Sequence, residues 1–362
     1  MAGVNAPGFK VTLGTTEFSG NLKSAVQEIL VEQVSDGASD FKVVLHDYNN
    51  RFSDGNVEIK EGMSALIELG YGDATKKVIE GIITGVKMLR HEGNCLRYVV
   101  TGFDGLQALS RGRKRRSWEQ IKDSDIAADI AGECGLEADV EDSGIINPYV
   151  AQNNQTNLDF LFDRAKRIGF ELKVEEKRLV FKKPDFTSES IATFYWNKKD
   201  LANGDKNPLH LSRCNIGSST RGVVSKVIVR SYDVGSAKEI IGSAESLDGG
   251  AMGGTGTAID AAASNNPDTT IQISNIPVAS QEEAERVAAS ILNARANEFM
   301  TGSARCDGSA DLSCGKKVTF KGIGSVLDGE YYITSAKHSF RAGSSGVNTG
   351  YWTEFTVARS GR

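Results

Sequence analysis

Two phrases near opposite ends of the chain nearly repeat one another. Ile82 to Met88 reads IITGVKM, and Tyr332 to His338 reads YITSAKH. Each follows a segment that ends in Gly-x-Gly, at Gly70–Gly72 and Gly322–Gly324, and each precedes a segment carrying aromatics, LRYVVTGF and YWTEFTV. A repeated run of three such segments predicts an internal duplication of one β unit, with the intervening residues as an insert. The long separation excludes a solenoid, whose units repeat every few tens of residues.

The neighbouring segments define the unit. In FKVVLHDY, Phe41, Val43 and Leu45 alternate with Lys42, Val44 and His46; in ALIELGYG, Ala65, Ile67, Leu69 and Tyr71 share a face. KVIEGIITGVKML and CLRYVVTGF continue the pattern. A two-residue period broken by Gly and Asp clusters predicts short antiparallel strands in a small barrel or sandwich. The 39 glycines and only 6 prolines suit many turns between such strands.

The period changes in the middle of the chain. DSDIAADIAGECG sets Ile126, Ala127, Ile130, Ala131 and Cys134 on one helical stripe, with Asp123 as N-cap and Gly135 as stop. TNLDFLFDRAKRIG does the same with Leu158, Leu161, Phe162, Ala165 and Ile168, between a Thr156–Asp159 capping box and Gly169. FELKVEEKRLVFKKP predicts a hairpin turning near Glu176 and Lys177. After Gly222 the strand period returns, and VVSKVIVRSY places Val223, Val227 and Val229 on one face. The Gly-, Ala- and Ser-rich stretch 243–270 predicts a long mobile loop. A helix is predicted over 281–299, with a Ser280–Glu283 capping box and Ala284, Val287, Ala288, Ile291 and Leu292 as its buried stripe. The predicted fold is therefore a β-rich α+β mixture. Two similar antiparallel β-barrel domains, 1–105 and 213–362, flank a small α+β insert at 106–212.

Composition narrows the function. A net charge of −5 without long single-sign blocks argues against nucleic-acid or membrane-surface binding. No apolar run approaches the roughly 18 residues that span a bilayer. The N-terminal MAGVNAPGFKVTLG has no basic region followed by an apolar run, so no secretory signal is expected. Five cysteines, an odd count with no Cys-x-x-Cys, predict free thiols in a reducing compartment; Cys306 and Cys314 flank a hairpin but are expected to stay unpaired. His46, His91, His210 and His338 lie far apart, and no His/Cys spacing suggests a zinc site. Neither a metal nor a cofactor is expected.

Candidate chemistry is sparse. SRGRKRR, with Arg113, Lys114, Arg115 and Arg116, reads as a solvated loop or as a contact for an acidic partner. The carboxylates of DSDIAAD and VEDSG read as helix-start acids and solvated surface. GGAMGGTGTA lacks the Lys-[Ser/Thr] of a P-loop, and no Gly-x-Ser-x-Gly occurs. No enzymatic activity is expected. Lys87, Lys337 and His338 of the repeated phrase and Trp352 are candidate interface residues; His338 also reads as a hydrogen-bonded strand histidine, and Trp352 as inter-strand packing. Tyr331, Tyr332 and Tyr351 are expected in the core. Oligomers are usually closed and symmetric, so a trimer of a duplicated chain would present six similar domains to a sixfold partner and threefold symmetry to another.

AQNNQTNLDFLFDRAKRIGFELKVEEKRLVFKKP resembles a signature of baseplate hub proteins of contractile phage tails, shared with the N-terminal half of VgrG spike proteins in type VI secretion. LDGEYYITSAKHSF and GYWTEFTVAR are similar to the closing strands of the phage late control protein D family, and FYWNKKDL with VVSKVIVRSYD fits the same pattern. The resemblance implies a homotrimeric hub whose chains each contribute two tail-tube-like barrels. That ring would join a hexameric inner tube protein to a trimeric spike protein, beside other baseplate components and the tape-measure protein. It implies assembly in a bacterial or infected-host cytoplasm and a place in a virion or injection particle. Unlike VgrG, the sequence ends at Arg362 after the last hub strand, so the spike is expected on a separate chain or beyond this piece of sequence. The alternatives are a glycan-binding or cell-wall-hydrolysing tail accessory; neither needs two similar domains.

Overall fold

The computed structural model describes residues 6–90, 96–175, 177–197, 205, 208–233, 235, 237–247, 252, 257–265, 269–343 and 349–362. The N-terminal unit comprises β1 (Pro7–Leu13), β2 (Thr16–Glu17), a one-turn α1 (Gly20–Lys23), β3 (Val26–Val34), β4 (Asp40–His46), β5 (Ser64–Tyr71), β6 (Ala74–Leu89) and β7 (Arg97–Asp104). Its strands run β3-β4-β7-β6-β5-β1-β2, every pair antiparallel. The predicted alternation holds: Phe41, Val43, Leu45, Ala65, Ile67 and Leu69 are buried in one core. Strand residues alternate between faces, so one face fills the interior while Lys42 and Glu68 stay outside it.

The insert comprises β8 (Lys114–Lys122), α2 (Asp123–Glu133), β9 (Glu137–Val140), β10 (Ile146–Gln155), α3 (Asn157–Ile168), β11 (Glu171–Glu175) and β12 (Arg178–Lys182). β8 and β10 form a two-stranded ribbon, and β11-β12-β9 a small sheet. The hairpin predicted near Lys177 is the β11–β12 pair. Both helices pack their predicted stripes into the insert's own core. Thr156 caps α3, its Oγ1 accepting from the Asp159 N–H at 3.0 Å, and Gly169 closes it at φ 73°. Asp123 departs from its expected capping role. The N-cap is Lys122, and the Asp123 carboxylate instead takes two bonds from the Arg164 guanidinium, at 2.5 and 2.9 Å. Inter-helix ion pairing has displaced local capping.

The C-terminal part comprises β13 (Thr193–Tyr195), β14 (Pro208–Ser218), β15 (Lys226–Asp233), β16 (Lys238–Ala244), α4 (Ala258–Asn265), β17 (Thr270–Ile273), α5 (Gln281–Asn297), β18 (Met300–Asp307), β19 (Lys317–Lys321), β20 (Gly329–Arg341) and β21 (Gly350–Arg359). β13-β14-β18-β21-β20-β19 close into a six-stranded barrel, because β19 pairs with both β13 and β20. The barrel starts at Thr193, before the expected boundary at 213. β16-β15-β17 form a separate sheet under α5, whose Ser280 Oγ accepts from the Glu283 N–H at 3.1 Å. Val227 and Val229 pack there, whereas Val223 lies before the strand and joins the barrel core. The predicted loop 243–270 contains α4, whose Ala258 and Ala262 are buried against the barrel core; 248–251, 253–256 and 266–268 lie outside the described residues.

β20 and β21 tie the two sheets into one. The first part of β20 pairs with β19, and its second part pairs with β3 from Ser335↔Val34 to Arg341↔Glu28. Phe340 and Tyr351 thus enter the N-terminal core, with the Phe340 ring 4.7 Å from Phe9.

Candidate assembly surface

The repeated phrase lies on β6 and β20, and its threonine holds the same structural position in both. Between β6 and β7 the register passes from Ile83↔Gly102 to Gly85↔Thr101, leaving Thr84 as the extra residue of a bulge. Between β20 and β21 it passes from Ile333↔Val357 to Ser335↔Thr356, leaving Thr334. A second bulge falls at Gln27 on β3 against β4, and at Ser212 on β14 against β18. Bulges bend and twist a strand. Their consequence here is that β6 and β20 leave one neighbour and turn away beyond the threonine. Just before β5, the Gly62 N–H donates to Ile83 O at 2.8 Å and the Ile83 N–H donates to Met63 O at 2.8 Å. Before β19, the Gly315 N–H donates to Ile333 O and the Ile333 N–H to Lys316 O, both at 2.9 Å. Gly62 and Gly315 sit at φ 88° and 85°, a left-handed conformation that only glycine adopts without strain.

Carried through the ladders, this register sets Phe41↔Gly102 beside Gly302↔Val357, and Val43↔Val100 beside Ala304↔Phe355. In each case a large residue faces a small one on opposite strands, or two medium residues meet, so the interior is filled by different distributions of similar bulk. A Cβ at Gly102 would lie 2.4 Å from Phe41 Cζ, and one at Gly302 would lie 2.6 Å from Ile216 Cγ1.

The candidate residues part company in this frame. Lys87 is exposed on β6. Lys337 occupies the corresponding place on β20 and pairs with Glu32 at 3.1 Å, while Arg341 pairs with Glu28 at 2.5 Å. Burial raises the Glu28 carboxyl, but its bonds to Arg341 and Lys42 outweigh that and hold it below the usual range. His338 is fully buried, which fits the hydrogen-bonded strand histidine and not the interface candidate. Its Nδ1 lies 3.0 Å from Tyr351 Oη, and loss of hydration pushes its pKa down to about 4. β21 and the loop carrying Ser309 cover it, a long-range arrangement that its strand position alone does not specify. Trp352 is half-buried, with the Arg305 guanidinium 4.7 Å over its ring.

The basic run is not a loop. It leads into and forms the start of β8, where Lys114 bonds Glu133 at 2.7 Å, Arg116 also bonds Glu133, and Arg113 Nη1 donates to Asn154 O at 2.9 Å. Arg115 is exposed on the ribbon's outer face. Most of this charge is therefore used within the insert. Cys134, Cys214, Cys306 and Cys314 are free thiols, Cys95 lies outside the described residues, and no cluster fit for a metal occurs among the described residues. Among them, too, no helix is long and apolar enough to cross a membrane.

One feature escaped sequence reasoning. A cleft of about 970 Å³ separates the N-terminal sheet from the insert, lined by Asp104, Glu171, Lys173 and Cys314 among others. Burial raises Asp104 to about 6 against bonds from the Ser39 and Leu106 N–H groups, and burial raises Glu171 although Tyr332 donates to it at 2.6 Å. These carboxylates hold backbone turns and a neighbouring strand in place. The bond from Tyr332 of β20 to Glu171 of β11 ties the insert to the C-terminal part beside the cleft.

The closed six-stranded barrel, the bridged second sheet and the small α+β insert together make a tail/baseplate-type fold. A 43 kDa tail protein of prophage MuSo2 from Shewanella oneidensis superposes with a TM-score of 0.71 at 15% identity, covering 98% of both chains. A tail protein from Neisseria meningitidis MC58 gives 0.69 at 14% identity, covering 98% of this chain and 96% of that one. The E. coli c3393 protein, described as a component of the type VI secretion system, gives 0.58 at 12% identity, covering 98% and 77%. No curated protein matches the sequence. The chain belongs to the family described as Alg8 N-terminal domain, whose model matches residues 5–342.

Proposed function

We propose that this chain is the structural hub of a contractile injection particle, a non-enzymatic homotrimer that adapts a hexameric inner tube to a trimeric spike. The observation that carries the reading is the common register of the two sheets. β3-β4-β7-β6-β5 and β14-β18-β21-β20-β19 follow one order, with bulges at Gln27 and Ser212 and at Thr84 and Thr334, and left-handed glycines at Gly62 and Gly315. Unrelated sheets have no physical reason to share both bulges and the turn, so we read the units as two copies of one tail-tube-like barrel. Three chains then offer six such units. The fold neighbours, a tail protein from a prophage and a type VI secretion component among them, support the same setting, and the late control protein D pattern of the closing strands agrees with it. In this role the chain is part of a phage-tail or injection particle assembled before release, and its work is to transmit thrust through buried β-rich interfaces.

Light scattering and class averages of the purified chain test the reading. The expected result is a mass three times that of the 38.9 kDa chain, with six lobes in end views. A monomer at every concentration, or cleavage of peptidoglycan by the purified chain, would sink it.

A further inference from the structure

We propose that the outer face of the β8–β10 ribbon docks an acidic, extended segment of another protein, held by the guanidinium groups of Arg111, Arg113 and Arg115 and by the ring of Tyr149. The contact belongs to the insert, so it goes beyond the hub reading and does not depend on it.

A local excess of charge motivates it. The chain as a whole carries more acid than base, 47 Asp and Glu against 42 Lys and Arg. From Arg111 to Arg116 the balance reverses, with five cations in six positions. Side chains of a strand alternate between its two faces. Lys114 and Arg116 turn inward, and both bond the Glu133 carboxylate. Arg113 and Arg115 alternate with them and are exposed, as is Arg111 beyond the left-handed Gly112. Arg113 bonds a carbonyl, that of Asn154. Arg111 and Arg115 meet no carboxylate among the described residues. Glu133 thus serves the inner face, and the outer guanidinium groups are left for something else.

That outer face is held rigidly from below. The Arg116 guanidinium also bonds Gln152 Oε1 at 2.8 Å and Asn157 Oδ1 at 3.1 Å, and it lies 4.6 Å over the Trp118 ring, which stacks on Phe160. Gln152 is fully buried and donates to the same Asn157 oxygen at 3.1 Å. A preorganised surface loses little entropy on binding. Above this network the register sets Arg115 opposite Asn153, Ser117 opposite Ala151 and Glu119 opposite Tyr149, all exposed. The small pair at the centre leaves a shallow saddle, with arginine at one end and Tyr149, 61% exposed, at the other.

The two ends call for different chemistry. Arginine forks grip carboxylates bidentately, and a tyrosine ring covers an apolar side chain at small entropic cost. Glu119 beside Tyr149 repels acid at that end. The matching segment therefore has its acids over the arginines and an apolar residue about four positions further on, the spacing of Arg115 and Glu119 along an extended strand. A nucleic acid fits less well, because its phosphates need a longer basic track and its bases more stacking aromatics.

Fluorescence anisotropy of the full chain tests the assignment, with a labelled peptide that carries a run of glutamates and then a leucine. Saturable binding is expected, about tenfold or more tighter than for the same peptide with glutamine in place of glutamate. Arg111→Ala combined with Arg115→Ala breaks no internal bond among the described residues and should weaken binding about fivefold at unchanged melting temperature. Tyr149→Ala should weaken it about threefold. Arg221→Ala, an exposed arginine of the C-terminal part, should leave it as in the parent. Equal affinity for the two peptides, or a double variant that binds like the parent, overturns the proposal. A single-stranded DNA oligonucleotide or a phosphatidylserine vesicle that binds more tightly than the peptide, and is lost on the same arginine changes, overturns it too. The mass of the same samples separates this surface from the hub reading. A trimer that ignores the peptide overturns the surface alone, and a monomer that binds it overturns the hub alone.

Discussion

The N-terminal sheet and the C-terminal barrel follow one strand order but finish differently. The barrel closes on itself because the three-residue β13 fits in parallel between β14 and β19. The N-terminal sheet has β1 next to β5 but, among the described residues, no strand of its own on the outer side of β3, and β20 from the other unit takes that place. The same ladder can thus be completed from within or from outside. What differs is the source of the last strand, and a sheet completed by a neighbouring unit becomes a joint.

The two interiors are filled by different means, and removing bulk should expose the difference most strongly. Phe355→Ala empties the middle of an aromatic cluster with Phe194 and Phe320, and should cost about 3–5 kcal/mol in denaturant unfolding. Its register partner in the other unit is Val100, where Val100→Ala removes fewer atoms and should cost clearly less. Equal losses at the two sites would break the comparison.

Adding bulk should run in the opposite sense. Gly102→Val directs a side chain into Phe41 and the Ile82 carbonyl, and should cost about 1–3 kcal/mol or more. The barrel already carries a valine at the corresponding Val357, because Gly302 faces it. Phe41→Gly should cost less in the Gly102→Val background than in the parent chain, measured by the shift in urea midpoint.

Protonation separates the joint from the sheet behind it. His338 has a folded pKa near 4 against its ordinary 6.5, so the unfolded chain binds the proton that the native chain refuses. Its contribution to stability is therefore complete above about 6.5 and lost as pH falls towards 4. Asp104 has a folded pKa near 6 against 3.8, so the native chain takes up its proton first. That group adds stability as pH falls from 6 towards 3.8 and loses it as pH rises. The two slopes oppose one another over most of the same range. His338→Gln should make the protein gain stability on going from pH 7 to 4.5, and Asp104→Asn should make it lose stability, each by about 2–3 kcal/mol. Urea titrations at the two pH values would show it, and parallel responses of the two variants would overturn the assignment.

The smallest expected effect lies away from both interiors. Ser280→Ala removes the cap of α5 and should cost about 1 kcal/mol, read as a small drop in melting temperature with no change in oligomeric mass.

Much of this architecture was legible in the chain. The two-residue period named the buried residues of β4 and β5, and the helical stripes with Thr156 and Ser280 named α3 and α5. The repeated Ile-Thr-x-x-Lys marked two strands whose bulges coincide at Thr84 and Thr334. Where reading failed, a distant partner outbid a local rule. Asp123 gave up the cap for Arg164. The basic run enters a strand because its backbone pairs with β10, with Lys114 and Arg116 both bonded to Glu133. His338 was drawn inside by Tyr351 and Thr353. The cleft beside Asp104 has no sequence signal, because stretches far apart in the chain, from Gln33 to Gly315, meet there.

The sequence by itself determined many of the strands and helices, which face of each is apolar, and that one short phrase occurs twice, because these follow from local periodicity and turn chemistry. Only the tertiary structure decided that β13 closes one barrel, that β20 completes the other sheet, and that among the described residues β6 beyond Thr84 and β14 beyond His210 have a strand on one side alone. Strand pairing is settled by which edges meet in space, and no local pattern encodes that choice.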